Sequence, residues 1–579
     1  MKTLKRPLAL LCAMAVIGSL TACGPKGPEP TPDDPAKPSG PAVSGTYTGK
    51  AASYDRELSL DVTFQGGAIT DLKLGEYHDT SAIVSRAFPL LEERILAAGS
   101  PVVDSVSGAS FTSYAIKAAV ADAMTQAGLE APSITFATNA GEYTPTTLPD
   151  VNCDIVIIGG GPAGLAAAVV AKQTAPSLHV IVVEKLDILG GNGKMDMNFY
   201  DLYGSKAMAD AGKEYSVEQF IEDYKNNGDT LERVKVWAEE TFTTDAWLRE
   251  MGTELDHTYG MGNHMVAWGV YAGETIMDNM EKKAAELGVD IRIGTKGVDF
   301  VWDGNAVTGV AVETNHAESY KILAKKTIVA TGGFCSNKEL LAKYAPGYEV
   351  LETSNMMGTT GDFVPVFEAH GMLLQNMGTV RAFPYILRPR RDLTSSGQAF
   401  VLVDKEGKRF LNETAASDLE LGTTILAQSA SWMVIDSKGI ETESTGRLHK
   451  QTTAGYWLKA DSLADLADQM GIPADALQAS VDTYNNAATG EPDAFGAKPR
   501  NTIDEGPFYA VQVQTANHMT KGGLGCNALA QALYADGTVV EGLYGAGEVT
   551  YQSGGYSQSV VFGKIAGRNA AAAIVNGES

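Results

Sequence analysis

The run Gly159-Gly160-Gly161-Pro162-Ala163-Gly164 has the residue types and spacing to hold a phosphate against the backbone. A first glycine permits a tight turn. A second lets the chain approach a pyrophosphate, and a third lets a helix close on a strand. Cys153 to Ile158, just before it, is a short apolar run of the kind a buried parallel strand needs. Leu165-Ala166-Ala167-Ala168, just after it, opens a helix. A second apolar run, Val180 to Val183, ends at Glu184, 20 residues past Gly164, where a carboxylate can take a ribose hydroxyl. The glycine pattern alone says little, but in this strand–turn–helix–strand setting it predicts a dinucleotide site.

A second constellation is Asp104-Ser105-Val106-Ser107-Gly108-Ala109-Ser110-Phe111-Thr112-Ser113. Gly108 and Ala109 clear space for a bulky anion. A helix starting near Thr112 would offer it free N–H groups. Taken alone, the short segment reads better as an ordinary Ser/Thr helix cap.

Positioning these groups takes several units. Leu58 to Phe64 alternates at period two, Gln65-Gly66-Gly67 turns the chain, and Ile69 to Leu74 returns, which predicts a hairpin. Helical segments around 86–98 and 114–127 complete a small α+β module over 46–130, followed by a linker over 131–150. Glycine-rich turns recur at Gly190-Gly191-Asn192-Gly193, at Ala330-Thr331-Gly332-Gly333 behind another apolar strand, and at Gly545-Ala546-Gly547-Glu548.

The first 45 residues read as an address. Lys2, Lys5 and Arg6 precede an apolar run from Pro7 to Thr21, too short to span a bilayer. Leu20-Thr21-Ala22-Cys23 resembles a bacterial lipobox, which implies removal of residues 1–22 and lipidation of Cys23. Residues 23–45 hold seven prolines (Pro25, Pro28, Pro30, Pro32, Pro35, Pro38 and Pro41), a composition for an extended tether rather than a core. The expectation is an exported protein, lipid-anchored to the outer face of the cell membrane, with no other membrane segment.

The 579 residues exceed one ordinary core, and the net charge of −25 argues against nucleic acid as a partner. Five cysteines with no C-x-x-C, and eight histidines without ligand spacing, give no case for a metal, an iron–sulfur cluster or covalent haem. Cys153, Cys335 and Cys526 read as core residues.

Two resemblances follow from these motifs. Asp104 to Ser113 resembles the FMN-binding domain in which FMN is esterified through its phosphate to a hydroxyl; the match implies covalent FMN on Ser110, with Thr112 as the alternative acceptor, and a flavin transferase to install it. Residues 151–579 resemble the soluble fumarate reductase, urocanate reductase and 3-ketosteroid dehydrogenase family, with Gly358-Thr359-Thr360-Gly361-Asp362 and Lys408-Arg409-Phe410-Leu411-Asn412-Glu413 as further markers. The implied fold is α/β: a Rossmann-like FAD domain (151–370 and 520–579), interrupted by a mobile α+β clamp domain (371–519) and preceded by the small α+β FMN-binding domain. Non-covalent FAD is expected on Gly159, Gly161, Pro162, Ala163, Gly164, Glu184, Lys185, Gly191, Asn192, Gly193, Val298, Thr331, Gly332, Asp362, Glu548, Ser559 and Val560.

That family's fumarate reductases hold two carboxylates with a His-Pro-Thr, an Arg beyond R-F-M-N-E, a His-His-Thr-Met-Gly-Gly and an Arg after G-E-V-T. Here those positions read Phe383-Pro384, Ser417, His518-Met519 and Gln558. A buried carboxylate stripped of charged partners is costly, so fumarate is not the expected substrate. Phe383, Ser417, Met519 and Gln558 are expected to line a pocket for a larger, more apolar ligand. Candidates to protonate the substrate carbon are Tyr385, Tyr556, His518 and Arg381. Arg381, Arg388, Arg390 and Arg391 are an alternative anchor for one carboxylate.

The implied function is an extracytoplasmic reductase of an activated C=C bond, an enoate or enone, with electrons passing from a membrane donor to FMN, FAD and substrate. Two alternatives stay open: a two-flavin electron carrier without its own small substrate, and a steroid-type dehydrogenase working oxidatively.

Overall fold

A computed structural model of the chain describes residues 43–136, 141–194, 200–259, 262–265, 271–388, 393–394, 399–413, 417–442 and 447–577. The expected signal peptide, Cys23 and nearly all of the tether lie outside the described residues. Among those described, no helix is long and apolar enough to cross a membrane.

Strands Gly45–Ala52, Glu57–Gln65 and Ala68–Leu74 form a three-stranded antiparallel sheet. The period-two pattern explains its face: Leu58, Leu60, Val62 and Phe64 are fully buried. They pack under helices Ser81–Ala98 and Ser110–Gln126. Gly66 and Gly67 sit at φ 61° and 87°, the left-handed pair that a tight hairpin requires. The second helix begins at Ser110, two residues before the position expected, so Ser110 is its first helical residue.

The larger sheet has nine strands. Val180–Val183, Val151–Ile158 and Glu318–Val329 run side by side in parallel, and Val539–Gly545 joins the last of them from far along the chain. Helices Pro162–Thr174 and Gly555–Val575 cross on one face. Their contact is possible because a Cβ on Gly563 or Gly567 would lie 2.3 or 2.2 Å from the carbonyl oxygens of Ala163 or Ala167.

A six-stranded sheet is built around the long strand Phe508–Thr520, which pairs with Glu352–Thr353, Val380–Leu387, Ser431–Ile435 and Leu458–Ala460. Within this region Arg409 is buried between Glu413, at 2.6 Å, and Asp493. The end of Phe508–Thr520 delivers His518, Met519 and Thr520 to the nine-stranded unit.

All these parts belong to one compact unit. Helix Ser81–Ala98 is tied to helix Ala272–Glu286 by Arg86, 2.6 Å from Asp278 and 2.9 Å from Glu281. The turn at Asp55 and Arg56 reaches Ala454 and Tyr456 beside the six-stranded sheet. Cys335 and Cys526 are buried and Cys153 is half-buried; all three are free thiols.

Candidate functional site

Strand Val151–Ile158 ends at Gly159, whose φ of 112° starts the turn. A Cβ there would meet the Ala330 oxygen at 2.3 Å, and one on Gly164 would meet the Gly159 oxygen at 1.8 Å. Gly161 has nothing within 4 Å of where a Cβ would stand, and it caps a helix that no side chain caps. This is an open cradle at a helix N-terminus, fit for a pyrophosphate. Glu184 is fixed at the next strand's end: its Oε2 accepts from the Gly160 amide at 2.8 Å and its Oε1 from the Leu186 amide at 2.9 Å. Each oxygen keeps a lone pair for a ribose hydroxyl.

A large cavity opens from this turn. Its wall includes Gly159, Gly161, Pro162, Ala163, Glu184, Lys185, Gly191, Asn192 and Gly193. Thr331, Gly332, Asp362, Glu548 and Ser559 face it from other elements. Lys185 bonds Asp362 at 2.7 Å and Lys296 lies 3.2 Å from it. Burial favours the neutral carboxyl, but the two lysines outweigh it and hold Asp362 below the usual carboxylate range. Asn192 accepts from the Met356 amide at 2.9 Å and donates to Asn355 at 2.5 Å. The buried hydroxyl of Thr331 has no hydrogen-bond partner among the described residues. An orphaned donor beside a glycine cradle fits a polar, phosphate-bearing cofactor, and FAD meets both demands.

Toward the six-stranded sheet the wall carries His518, Met519, Gln552 and Tyr556. His518 Nδ1 lies 2.9 Å from Ser354 Oγ. Gln552 donates to the Met519 sulfur at 3.9 Å and accepts from Ser559 at 2.9 Å. Glu548 accepts from the Thr520 amide at 3.0 Å and its hydroxyl at 3.2 Å. Burial outweighs those bonds and pushes its carboxyl up to about 7. Burial likewise drives the Tyr556 hydroxyl well above its usual range, where it faces the Gly273 carbonyl at 3.4 Å.

Several expected residues are not on this wall. Val298 falls at a bulge between Gly297 and Asp299, and Thr295, Lys296 and Gly297 face the cavity instead. Gly164 serves packing, and Val560 is buried in the helix core. Irregularities on either side of Phe383 break the alternation of strand Val380–Leu387. Tyr385 therefore turns into the apolar core against Phe400, ring centroids 5.3 Å apart, while Arg381 and Arg388 are exposed. Ser417 is exposed and caps helix Asp418–Leu426 by accepting from the Glu420 amide. Gln558 is fully buried and closes the preceding turn, accepting from the Ser553 and Gly554 amides at 2.8 and 2.7 Å. The side chain of Phe383, and Arg390 and Arg391, lie outside the described residues. The sequence reading missed Ser354, Asn355, Met356 and Gln552, which carry no motif of their own.

The second site lies at helix Ser110–Gln126. No side chain caps it, and Ser110 is exposed at its first position. Thr112 is buried and donates to Asp79 at 2.6 Å, so its oxygen is committed to the fold. Gly108 sits at φ 90° with its bare side against Ile188 and Leu186. Arg94 donates to the Asp104 and Ser105 carbonyls at 3.0 and 3.1 Å. An open helix N-terminus with one exposed hydroxyl fits a flavin phosphate.

Comparison with known proteins agrees with both sites. The FAD binding domain family matches residues 154–559 and the FMN-binding domain family matches residues 54–125. A fumarate reductase (cytochrome) from Shewanella frigidimarina is 30% identical over 73% of this chain and 78% of its own length. A urocanate reductase from Eggerthella lenta is 28% identical over 97% of this chain and 98% of its own. The open conformation of a flavocytochrome c3 fumarate reductase superposes with a TM-score of 0.65 at 31% identity, covering 73% of this chain and 79% of that one. The chain belongs to the FAD-binding fumarate and urocanate reductase family, oxidoreductases acting on CH–CH groups, and it carries an FMN-binding domain in front.

Proposed function

We propose that this chain reduces the activated C=C bond of a substrate bulkier than fumarate, an enoate or enone of the aryl-acrylate type. It does so outside the cytoplasm, tethered through lipidated Cys23, with FMN esterified to Ser110 by a flavin transferase. Electrons enter from a membrane donor at FMN and pass to FAD. FAD, when bound, supplies the hydride chemistry; the chain's own residues supply the rest.

One observation carries the two-flavin reading. Leu186 and Met356 wall the FAD cavity and also pack on the FMN module, Leu186 beside Gly108 and Met356 within the module's apolar core. The FAD cavity wall and the FMN module's apolar core therefore share these two side chains. On the substrate side, Met519 offers an apolar surface where a charged anchor would be needed for a second carboxylate. His518 is the wall residue suited to deliver the proton: it lines the cavity, its Nδ1 is held 2.9 Å from Ser354 Oγ, and an imidazole is the usual side chain for such a transfer. Tyr556, with its hydroxyl on a carbonyl and its proton held tightly, supports the wall.

The test is reoxidation of the chemically reduced, doubly flavinylated protein by a panel of enoates and enones. Rapid reoxidation by an aryl-acrylate supports the reading. Flavins that stay reduced against the whole panel would sink it.

A further inference from the structure

The FMN module and the linker after it carry four aromatic rings beside Ser110 that the module's apolar core does not use. Phe111, the residue after Ser110, is 51% exposed, and Phe136 is 49% exposed. Their ring centroids stand 4.7 Å apart at an interplanar angle of 71°. Tyr54 joins Phe111 at 5.5 Å and 64°, and Tyr114 joins Phe136 at 5.7 Å and 30°. Scattered exposed apolar side chains are ordinary on a surface, but a contiguous aromatic group is not.

The group is also built rather than incidental. Its rings come from three separated segments: the turn after Gly45–Ala52, helix Ser110–Gln126, and the chain beyond that helix. Asp79 ties two of these together. It accepts from Ser53 Oγ at 2.5 Å and the Asp55 amide at 2.9 Å on the Tyr54 side, and from Thr112 Oγ1 at 2.6 Å on the Phe111 side. Asp79 is itself buried, so Tyr54 and Phe111 are set by one rigid anchor.

We infer that this cluster is the seat of the FMN isoalloxazine, with Phe111 and Phe136 presenting its contact faces. The inference rests on the reading that Ser110 bears the flavin. The argument for this occupant is continuity. The ribityl phosphate arm starts at the residue before Phe111 and is flexible enough to lay its ring back on the neighbouring side chains. Phe111 packs edge to face on Phe136 and on Tyr54, and both phenylalanine rings stay half exposed, which leaves apolar surface on which a planar heterocycle can stack. A flavin held there loses the rotational freedom of a ring swinging on its arm. It would sit at one fixed distance from the FAD site.

The experiment uses the full chain, co-produced with a flavin transferase, as parent, Phe136→Ala and Phe136→Tyr. Peptide mass reports whether the flavin is on the peptide containing Ser110. Flavin fluorescence and its anisotropy report whether the ring is stacked, and the FAD contribution cancels between proteins of equal FAD content. All three proteins should carry the flavin equally. Phe136→Ala should show clearly lower anisotropy, and Phe136→Tyr, which keeps a stacking ring, should hold the anisotropy of the parent and be no brighter. Unchanged anisotropy in Phe136→Ala, with flavin on Ser110, would overturn the seat alone. Absence of flavin from that peptide in the parent would overturn both the seat and the covalent reading beneath it.

Discussion

Asp187 and Ser107 hold each other reciprocally: the Ser107 amide donates to Asp187 Oδ2 at 3.0 Å, and the Asp187 amide donates to Ser107 Oγ at 2.8 Å. Asp187 stands three residues after Glu184 and Ser107 three before Ser110. The clasp therefore joins the segment after Glu184 to the segment before helix Ser110–Gln126. Arg94 and Asn315 reinforce it at 3.3 and 2.8 Å from the same carboxylate.

Asp187→Ala should loosen that joint without emptying either site. Hydrogen bonds to a charged group contribute about 1.5–3 kcal/mol each. The variant should keep both flavins, unfold its FMN module at lower denaturant, and pass electrons between flavins more slowly in stopped-flow reduction. Parent-like transfer with both flavins present would show that the clasp does not set their spacing.

Ser110→Ala should remove the covalent flavin entirely, and Thr112→Val should keep it. Thr112 is buried with its hydroxyl on Asp79, so it cannot serve as acceptor without unfolding the helix start. Loss of its bond to the Asp79 carboxylate costs about 1.5–3 kcal/mol of stability. Peptide mass decides between them; a flavin surviving on the Ser110→Ala protein contradicts the assignment.

Glu548 makes the flavin-free protein sensitive to pH in a definite direction. Its folded value of about 7 lies above the ordinary 4.5. Between those values the folded state keeps a proton that the unfolded state has released, so stability falls as pH rises and then levels off. The slope approaches about 1.4 kcal/mol per pH unit. Glu548→Gln should remove this slope. The stripped variant should then resist urea better than the stripped parent at about pH 8, with little difference near pH 4.5. Parallel pH profiles for the two would count against a protonated Glu548.

Fumarate should turn over negligibly with a reduced viologen. Missing charge-assisted bonds contribute about 1.5–3 kcal/mol each, and losing several slows the reaction about a thousandfold or more. Ser417→Arg should not rescue it, because Ser417 caps an exposed helix away from the cavity. On an accepted aryl-acrylate, His518→Gln should lower the rate about 100-fold or more, while Tyr556→Phe stays within a few fold. Brisk fumarate reduction by the parent contradicts the pocket argument, and the reverse ranking of the two variants contradicts the proton donor.

The glycine turns were readable in the sequence because their chemistry is local: Gly159 and Gly164 are dictated by atoms a few residues away. The hairpin at Gly66 and Gly67 was readable for the same reason. Tyr385, Ser417 and Gln558 were misplaced because their fate depends on strand irregularities and caps that leave no pattern. Ser354 and Met356 reach the cavity only through the pairing of Glu352–Thr353 with Phe508–Thr520, a contact between segments more than 150 residues apart. The FMN and FAD units were legible one by one, but the clasp between them was not.

The close crossing of helices Pro162–Thr174 and Gly555–Val575 has a consequence for biogenesis. The first helix of the nucleotide fold is completed by segments far later in the chain. Until Val539–Gly545 and helix Gly555–Val575 emerge, the Thr327–Val329 end of one flank of Glu318–Val329 and the close-packed face of the first helix have no cover. A chain in that state exposes apolar surface and is prone to aggregate until the later segments arrive. A complete FAD cavity accordingly waits for helix Gly555–Val575 and the turn before it, which bring Glu548, Gln552, Tyr556 and Ser559 to the wall.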